Sequence, residues 1–305
     1  MRALINSGGG GVEFAEVPEP VPSDSEVMVA VEAMAVNRGE LRLMAARPHG
    51  WRPGQDVSGV VLQPAGDGSG PAAGTRVVAW PEQAGWAERV AVPSAKVAVL
   101  ASQVSFSQAA TLPVAGMTAM RATRLAGDLR DRKVLITGAA GGVGRFAVEL
   151  AALRGAVVTA VAANPARAEG LDELGAAKVV YEIADADGPF HLILESAGGS
   201  SLQSAIGKVA AQGTVVVFGN SSGAPTEIAF GDFRGKAGAR IEAFFVYESG
   251  ELPTFGEDLQ LLADLVAGGQ LHPHVGLEAS WEEASSAFEA LANRHVNGKA
   301  VLLVN

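Results

Sequence analysis

The sequence predicts an α/β protein with two parts, a β-rich module and a doubly wound parallel sheet. Short β-prone runs separated by Gly and Pro fill residues 1–112, whereas from about residue 113 apolar runs alternate with Ala- and Leu-rich helical patterns. Strands that read as continuously apolar and are joined by helices are typical of parallel sheets. With 305 residues, of which 48% are hydrophobic and 18% charged, the chain is long enough for two domains.

The elements follow from local pattern. In the first part the β-prone runs are residues 27–33, 60–62, 76–80 and 88–92, and the Gly- and Pro-rich residues 64–74 interrupt them. In the second part the predicted strands are residues 134–137, 157–161, 179–181, 192–194, 214–218 and 241–246, and the predicted helices are residues 144–154, 166–174, 202–209 and 257–266. A helix over 281–292 and a strand over 300–304 complete the chain.

Charge and composition exclude several functions. The formal net charge of −10 disfavours nucleic acid and anionic membranes as partners. The absence of Cys excludes disulfides, thiolate catalysis and Cys-ligated zinc. Neither a signal peptide nor a membrane span is expected, because the sequence lacks apolar runs of the required length, and this favours a cytoplasmic protein.

The most informative segment is residues 133–155. An apolar run there is followed at once by Gly138, Gly141 and Gly144 and then by helical apolar spacing. A strand, a tight glycine turn and a helix N-terminus together form an anion site, in which small residues let the backbone approach a dinucleotide pyrophosphate. The segment also fits the glycine pattern of short-chain dehydrogenases. That family is set aside because no Tyr-x-x-x-Lys pair exists: Asp185 follows Tyr181 and Glu251 follows Tyr247 at that spacing.

Segments in a fixed order carry a family resemblance: residues 35–40, 52–61, 112–119, 139–144, 196–199, 219–220 and 298–302. Together they resemble the zinc-free, quinone oxidoreductase-like branch of the medium-chain dehydrogenase/reductase superfamily. The resemblance implies a GroES-like catalytic domain over residues 1–112, completed by residues 254–305. It also implies a Rossmann domain over residues 113–253, a coenzyme in the cleft, and a homodimer formed through the strand at residues 241–246.

The resemblance also implies which residues contact the coenzyme. Ala140, Gly141, Gly142 and Val143 are expected to cradle the pyrophosphate. Residues expected around the nicotinamide and the rest of the coenzyme are Thr118, Ser196, Ala197, Gly219, Phe245 and Lys299, the last of them at a phosphate.

The end of the second predicted strand favours NADPH over NADH. An NAD site wants a carboxylate there for the ribose 2′-hydroxyl, but no acid precedes Glu169. Arg167 stands where this branch commonly carries Lys and can grip a 2′-phosphate, and Asn164 can donate an amide hydrogen bond.

The sequence predicts neither a metal nor a catalytic nucleophile. Residues 54–56 read Gly-Gln-Asp where zinc-dependent relatives have Gly-His-Glu, and Gln is a poor zinc ligand. His272 and His274 flank a proline in what is predicted to be a surface turn. Residues 219–223 match the GxSxG pattern of hydrolases, but the Pro225 that follows favours extended chain instead of the required helix.

Chemistry is therefore expected to come from NADPH, with quinones or α,β-unsaturated carbonyl compounds as hydride acceptors. Asn37 matches the family residue that lines the nicotinamide pocket, and His49 is the candidate proton donor because the Tyr often found in this region is missing. Aromatic residues that could shape the acceptor pocket are Trp51, Trp80, Trp86 and Phe245.

Two alternatives stay open. A 2-enoyl thioester reductase would need a basic track for its substrate arm, which Arg38, Arg42, Arg47 and Arg52 could form. A catalytically decayed NADPH-binding sensor or partner protein would explain the missing Tyr.

Overall fold

The computed structural model describes residues 1–250 and 254–304. The chain divides into two compact units, the first formed by Met1–Met117 with Gly250–Asn305 and the second by Thr118–Ser249. Residue 253, at which the sequence places the second domain boundary, lies outside the described residues, as do Glu251 and Asn305.

The strands of the described residues are β1 (Arg2–Gly8), β2 (Gly11–Glu16), β3 (Glu26–Val36), β4 (Asp56–Gln63), β5 (Arg76–Ala79), β6 (Arg89–Pro93), β7 (Val97–Val99), β8 (Lys133–Ile136), β9 (Val157–Val161), β10 (Ala176–Val180), β11 (Phe190–Glu195), β12 (Val209–Val217), β13 (Arg240–Ala243), β14 (Val275–Ser280) and β15 (Lys299–Leu303). The α-helices are α1 (Arg38–Ala46), α2 (Phe106–Ala110), α3 (Met117–Arg124), α4 (Gly142–Leu153), α5 (Pro165–Ala168), α6 (Gly199–Lys208), α7 (Phe255–Ala267) and α8 (Ala284–Ala292).

The first unit is built on a seven-stranded sheet. Its order is β14-β15-β3-β4-β5-β7, with β6 also paired to β3, and β1 and β2 form a separate antiparallel hairpin. Every pair in the larger sheet is antiparallel except β14 with β15. Apolar side chains from β3, β4, β5 and α8 form the main core together with the fully buried Trp86 and Trp281. The predicted β-rich module is confirmed.

The second unit is a six-stranded parallel sheet in the order β10-β9-β8-β11-β12-β13. The first strand in the chain, β8, lies at the centre, and Val134, Leu135 and Ile136 within it are fully buried. Chain order reverses between β8 and β11, which is the topological switch point where ligands bind at the carboxyl edge of such sheets. The predicted doubly wound Rossmann fold is confirmed.

Two predicted elements end earlier than expected. The helix over 166–174 stops at Ala168, because Glu169 is extended (φ −52°, ψ 128°) and Gly170 adopts a positive φ of 75°. The strand over 241–246 stops at Ala243, which pairs with Val217, the last residue of its only neighbouring strand. A 3-10 turn begins three residues later, at Val246, so the edge available for pairing is shorter than the sequence predicts.

The described residues contain no helix that is both long enough and apolar enough to cross a membrane.

Candidate active site

The glycine loop joins β8 to α4 in the second unit. Gly138 turns the chain with φ 60°, and Gly141 is the residue before the helix, where it offers no side chain to cap it. The amides of the first helical turn have no intrahelical acceptors, so they and the positive end of the helix dipole face outward unpaired. This arrangement fits an anion such as a pyrophosphate, and it comprises the predicted residues Ala140 and 141–143.

One of these glycines, Gly144, is sterically required, and Gly141 is tightly packed. A Cβ on Gly144 would lie 2.7 Å from Ala139 Cα, a distance that real Cβ atoms essentially never show. A Cβ on Gly141 would lie 3.2 Å from the Gly138 carbonyl oxygen. The loop and the first turn of α4 are therefore packed backbone against backbone, which keeps the helix N-terminus close to the end of β8.

Most predicted coenzyme residues follow the carboxyl ends of parallel strands and so share one edge of the sheet. They are Ala140, Gly141, Gly142 and Val143 after β8, Asn164 and Arg167 after β9, Ser196 and Ala197 after β11, Gly219 after β12, and Phe245 after β13. Thr118 differs, because it lies buried in α3. The contact of each residue with a coenzyme stays a prediction.

A buried carboxylate organises this edge. Glu195, the last residue of β11, is fully buried, and its Oε1 accepts hydrogen bonds from the Ala197 amide at 3.0 Å, the Ser201 hydroxyl at 2.8 Å and the Thr137 hydroxyl at 3.1 Å. Its Oε2 accepts from the Gly198 amide at 2.9 Å. Four donors therefore fix the turn after β11 to the end of β8. Sequence reasoning did not single out Glu195, because its partners are scattered along the chain.

The loop after β12 packs against this turn. The Ser221 amide donates to the Ser196 carbonyl at 3.0 Å, and the Ser222 amide donates to the Ala197 carbonyl at 2.8 Å. No helix follows within residues 218–229, as the Pro225 signal predicts. The hydrolase alternative fails here, because a nucleophile elbow runs from a strand directly into a helix.

The segment after β9 carries the predicted 2′-phosphate residues. Asn164 caps the N-terminus of α5, because its Oδ1 accepts a hydrogen bond from the Arg167 amide at 3.0 Å. The side-chain NH2 group of Asn164 is the part that can donate to a ligand. Arg145 in α4 is 8% exposed and donates to the Glu169 carbonyl at 3.1 Å, which joins α4 to the chain just beyond α5. No sequence signal pointed to Arg145.

In the first unit, Asn37 lies at the centre of a buried polar network. Its Nδ2 donates to Asp56 Oδ2 at 2.9 Å and to Glu40 Oε2 at 3.1 Å, and its Oδ1 accepts from Lys299 Nζ at 2.6 Å. Lys299 also pairs with Asp56 at 2.8 Å, where the Lys299 side chain is only 5% exposed. The Asp56 Oδ1 accepts from the Val114 amide at 2.8 Å. We refer to Asn37, Glu40, Asp56 and Lys299 as the Asn37 network.

Helix α1 supplies Glu40 to this network. Glu40 stands three residues after Asn37 and accepts from the Asn37 amide at 3.0 Å and from the Gly54 amide at 3.2 Å. Burial, and next the negative charge of Asp56, raise the pKa of Glu40 to about 8. Asn followed three residues later by Glu is a helix-start signal, and it could have revealed both α1 and Glu40.

The contacts of Lys299 differ from those that the resemblance implies. The sequence places its ammonium at a coenzyme phosphate, but the group is buried and already bound to Asp56 and Asn37. Bringing it to a phosphate would leave the Asp56 carboxylate buried without its cation, which is costly. Its contacts are those of a positioning residue.

His49 is also placed differently from the prediction. Its imidazole lies at the surface with 66% of the side chain exposed, and Nε2 is 2.9 Å from Glu13 Oε1. The structure therefore joins His49 to Glu13 and not to Asn37. A proton-donor role for His49 has no support from these contacts.

The four aromatic residues that could shape the acceptor pocket differ in their burial. Trp80 and Trp86 are core residues, 1% and 0% exposed, and they pack against Phe255 and Phe288. Trp51 is half-buried with its indole N–H 3.3 Å from Gln83 Oε1. Phe245 is 59% exposed beyond the end of β13, so it alone among the four is free of the cores.

The side chains at the positions where zinc-dependent relatives carry ligands bind other groups. Gln55 gives its amide to the Glu82 carbonyl at 3.2 Å, and Asp56 is held by Lys299. His272 and His274 precede β14 in a loop, both exposed. Within residues 1–250 and 254–304, no three His, Cys, Asp or Glu side chains come together as a metal would require.

Comparisons with known proteins agree with the fold. Residues 174–302 match the family model described as "Zinc-binding dehydrogenase". The "Chloroplast envelope quinone oxidoreductase homolog" of Arabidopsis thaliana is 36% identical over 59% of this chain and 60% of its own length. The "Spectinabilin polyketide synthase system protein NorB" of Streptomyces orinoci is 31% identical over 97% of this chain but only 14% of its own length. The chain thus spans less than two thirds of either relative.

Among solved structures, the quinone oxidoreductase of Escherichia coli complexed with NADPH superposes with a TM-score of 0.87 at 23% identity. The match covers 99% of this chain and 100% of that one. At 23% identity it shows that the two proteins share a fold. The chain is thus similar in sequence to zinc-binding dehydrogenases and quinone oxidoreductase homologues, and similar in fold to a solved quinone oxidoreductase.

Proposed function

We propose that this protein is an NADPH-dependent oxidoreductase that reduces quinones or activated α,β-unsaturated carbonyl compounds without zinc. The observation that carries the proposal is the uncapped N-terminus of α4 behind the glycine loop, at the switch point of the parallel sheet. It would hold the pyrophosphate through backbone amides.

When bound, NADPH would supply the hydride. The chain's own residues bind and orient. Residues 140–143 cradle the pyrophosphate, with the amides of the first turn of α4 as donors. Arg167 and the NH2 group of Asn164 meet the 2′-phosphate, and Asn37 offers a fixed polar contact. Quinones and enones suit such a site, because the charge that develops on their conjugated oxygen needs only a hydrogen-bond donor or a solvent proton. A simple ketone would demand a Lewis acid or strong proton donor, which the side chains described above do not provide.

A panel of naphthoquinones, enones and enoyl-CoA thioesters, scored by NADPH oxidation, tests the proposal. Turnover with quinones or enones supports it, and turnover confined to enoyl-CoA would move the assignment to a thioester reductase. Stoichiometric NADPH binding with no turnover on any acceptor would favour the sensor alternative.

The similarity to a protein of a polyketide synthase system favours the thioester reductase alternative. The contacts of the arginine side chains disfavour it. Arg38 donates to the Leu291 carbonyl, and Arg52 donates to the Ala84 carbonyl, both at 3.5 Å. Arg47 lies over the Trp51 ring at 5.7 Å. These side chains contact separate groups, which is not what a continuous basic track for a substrate arm requires.

Replacing Arg167 by alanine should weaken NADPH binding by about 10- to 100-fold and leave NADH binding within about twofold, because only NADPH carries the 2′-phosphate. Calorimetric titration with both coenzymes measures this. Arg132→Ala is the control, since it removes an exposed positive charge at the opposite, amino edge of the sheet, just before β8. Equal losses for the two coenzymes would contradict the role of Arg167.

A homodimer through β13 also stays a proposal. The edge strand leaves Ile241 38% exposed, and Phe245 beyond it is 59% exposed, so a second copy could extend the sheet there. Sedimentation of the wild type and of Ile241→Lys tests this, with a dimer expected only for the wild type. A cytoplasmic location remains a prediction from the sequence.

A further inference from the structure

The chain after β9 is attached to the glycine loop and to α4 at two points. The Ala139 amide of the loop donates to the Val161 carbonyl at 3.1 Å. Arg145 Nη1 in α4 donates to the Glu169 carbonyl at 3.1 Å. The chain between these two points, residues 162–168, follows the carboxyl end of β9 and contains both predicted 2′-phosphate residues.

The guanidinium of Arg145 lies against the turn at which α5 ends. Glu169 is extended and Gly170 has a φ of 75°, so the helix cannot continue beyond Ala168. A Cβ on Gly170 would lie 3.0 Å from Arg145 Nη2, which shows that the guanidinium occupies the space beside this glycine. Nη1 therefore holds this turn by its carbonyl and Nη2 lies beside it, two residues beyond Arg167.

Burying the charge of Arg145 costs free energy that packing alone does not offset. The side chain is almost fully buried, and within the described residues its Nε has no hydrogen-bond partner. Burial lowers the pKa of Arg145, whereas the charges of Glu149, Glu169 and Glu173 raise it, and the guanidinium stays a cation at neutral pH. An apolar side chain of similar length would fill the same space without this cost. The position therefore favours a role for the guanidinium other than packing.

We propose that Arg145 is a positioning residue that holds Arg167 in place for the 2′-phosphate and so sets the preference for NADPH over NADH. The inference rests on the proposed function and deepens it, because it adds a residue that acts on coenzyme choice through the backbone of residues 162–168. A cation on a fixed segment loses less conformational entropy on binding than one on a mobile segment. Fixing the segment therefore raises the affinity for the phosphate that Arg167 meets.

The effect is specific to one coenzyme, because NADPH and NADH differ at a single group. Both carry the pyrophosphate that the N-terminus of α4 would meet, and only NADPH carries the 2′-phosphate. Arg145 lies on α4, but the group to which it donates is in the chain after β9. Its loss should therefore disturb residues 162–168 and leave the pyrophosphate amides in place.

Hydrogen exchange without coenzyme tests the attachment itself. Arg145→Met keeps a long unbranched stem and removes the guanidinium. The hydrogen-bonded amides among residues 167–171 should exchange at least about fivefold faster in this variant, because the segment opens more often. Arg154→Met is the matched control, since Arg154 follows the other end of α4, is also half or more buried, and donates to the Gly127 carbonyl. It should leave the exchange of these amides unchanged.

Calorimetric titration tests the effect on coenzyme choice. Arg145→Met should raise the dissociation constant of NADPH by about 5- to 10-fold and leave that of NADH within about twofold. Arg154→Met should keep the ratio of the two constants at the wild-type value, even if it melts at a lower temperature. Equal losses for both coenzymes in Arg145→Met would indicate general structural damage and would overturn the proposal.

Combining Arg145→Met with Arg167→Ala separates positioning from direct contact. If Arg145 acts through Arg167, the double variant should bind NADPH within about twofold of Arg167→Ala alone, because no cation is left to position. Fully additive losses would mean that Arg145 meets the phosphate itself, and they would overturn the proposal.

Failure of the proposal and failure of the proposed function give different results. Unchanged exchange of residues 167–171 in Arg145→Met would overturn the proposal whether or not NADPH binds. A wild type that binds both coenzymes equally well would overturn the part of Arg145 in coenzyme choice and leave the oxidoreductase assignment standing. A wild type that binds neither coenzyme would overturn the proposed function, and the exchange rates would still decide whether Arg145 holds the segment.

Discussion

Lys299→Met should cost about 3–5 kcal/mol of unfolding free energy at pH 7, because it leaves the Asp56 carboxylate buried without its cation. Asp56 and Lys299 are 0% and 5% exposed in their side chains, and the pair is 2.8 Å apart. Urea unfolding of the wild type and the variant measures the loss of stability.

The double variant Lys299→Met with Asp56→Asn identifies the cause. Removing both charges should restore much of the stability lost in Lys299→Met, because no charge is then buried alone. Lys178→Met is the surface control: it breaks an exposed pair with Asp187 at 2.7 Å and should change the melting temperature little. A Lys299→Met variant as stable as Lys178→Met would contradict the account of the Asn37 network.

Gly144→Ala should abolish measurable NADPH binding, with a dissociation constant raised at least about 100-fold, because the helix that offers its amides must move. The new methyl group would lie 2.7 Å from Ala139 Cα, and only backbone movement can relieve a backbone contact of that kind. Overpacking of well-packed interiors typically costs about 1–3 kcal/mol, so the melting temperature should fall too.

Gly207→Ala is the matched control for this substitution. Gly207 lies in α6 of the same unit, and a Cβ there meets nothing within 4 Å. Alanine should stabilise that helix by about 0.5–1 kcal/mol and leave coenzyme binding unchanged. If Gly144→Ala bound NADPH as the wild type does, the glycine loop would not be the pyrophosphate site.

The glycine loop could be predicted from sequence because all of its parts are local. Strand β8, the turn at Gly138 and the helix after Gly141 occupy one continuous segment, and each has its own pattern. The same holds for Arg167, whose position relative to β9 depends on only a few residues. Parallel pairing then brings these strand ends to one edge of the sheet.

The Asn37 network could not be predicted, because its members are far apart in the sequence. Lys299 and Asp56 are separated by 243 residues, and only the pairing of β15 and β4 with β3 brings them together. A lysine near the end of the chain was therefore interpreted by family resemblance alone, and its partner went unrecognised. Glu195 was missed for the same reason, since Thr137 lies 58 residues before it.

The role of His49 stays a prediction, and its residue type alone could not locate the side chain. Histidine is a residue type that suits proton donation, but the residue type does not say which way a surface turn faces. The structure shows the imidazole beside Glu13 on β2, a hairpin strand that the sequence analysis did not predict.

Calorimetric titration of the wild type with NADPH tests the central claim most directly, namely that backbone amides at the N-terminus of α4 hold a reduced nicotinamide coenzyme. The account predicts one NADPH bound per chain, with NADH binding at least tenfold more weakly because it lacks the 2′-phosphate for Arg167. Absence of heat with both coenzymes would contradict the claim.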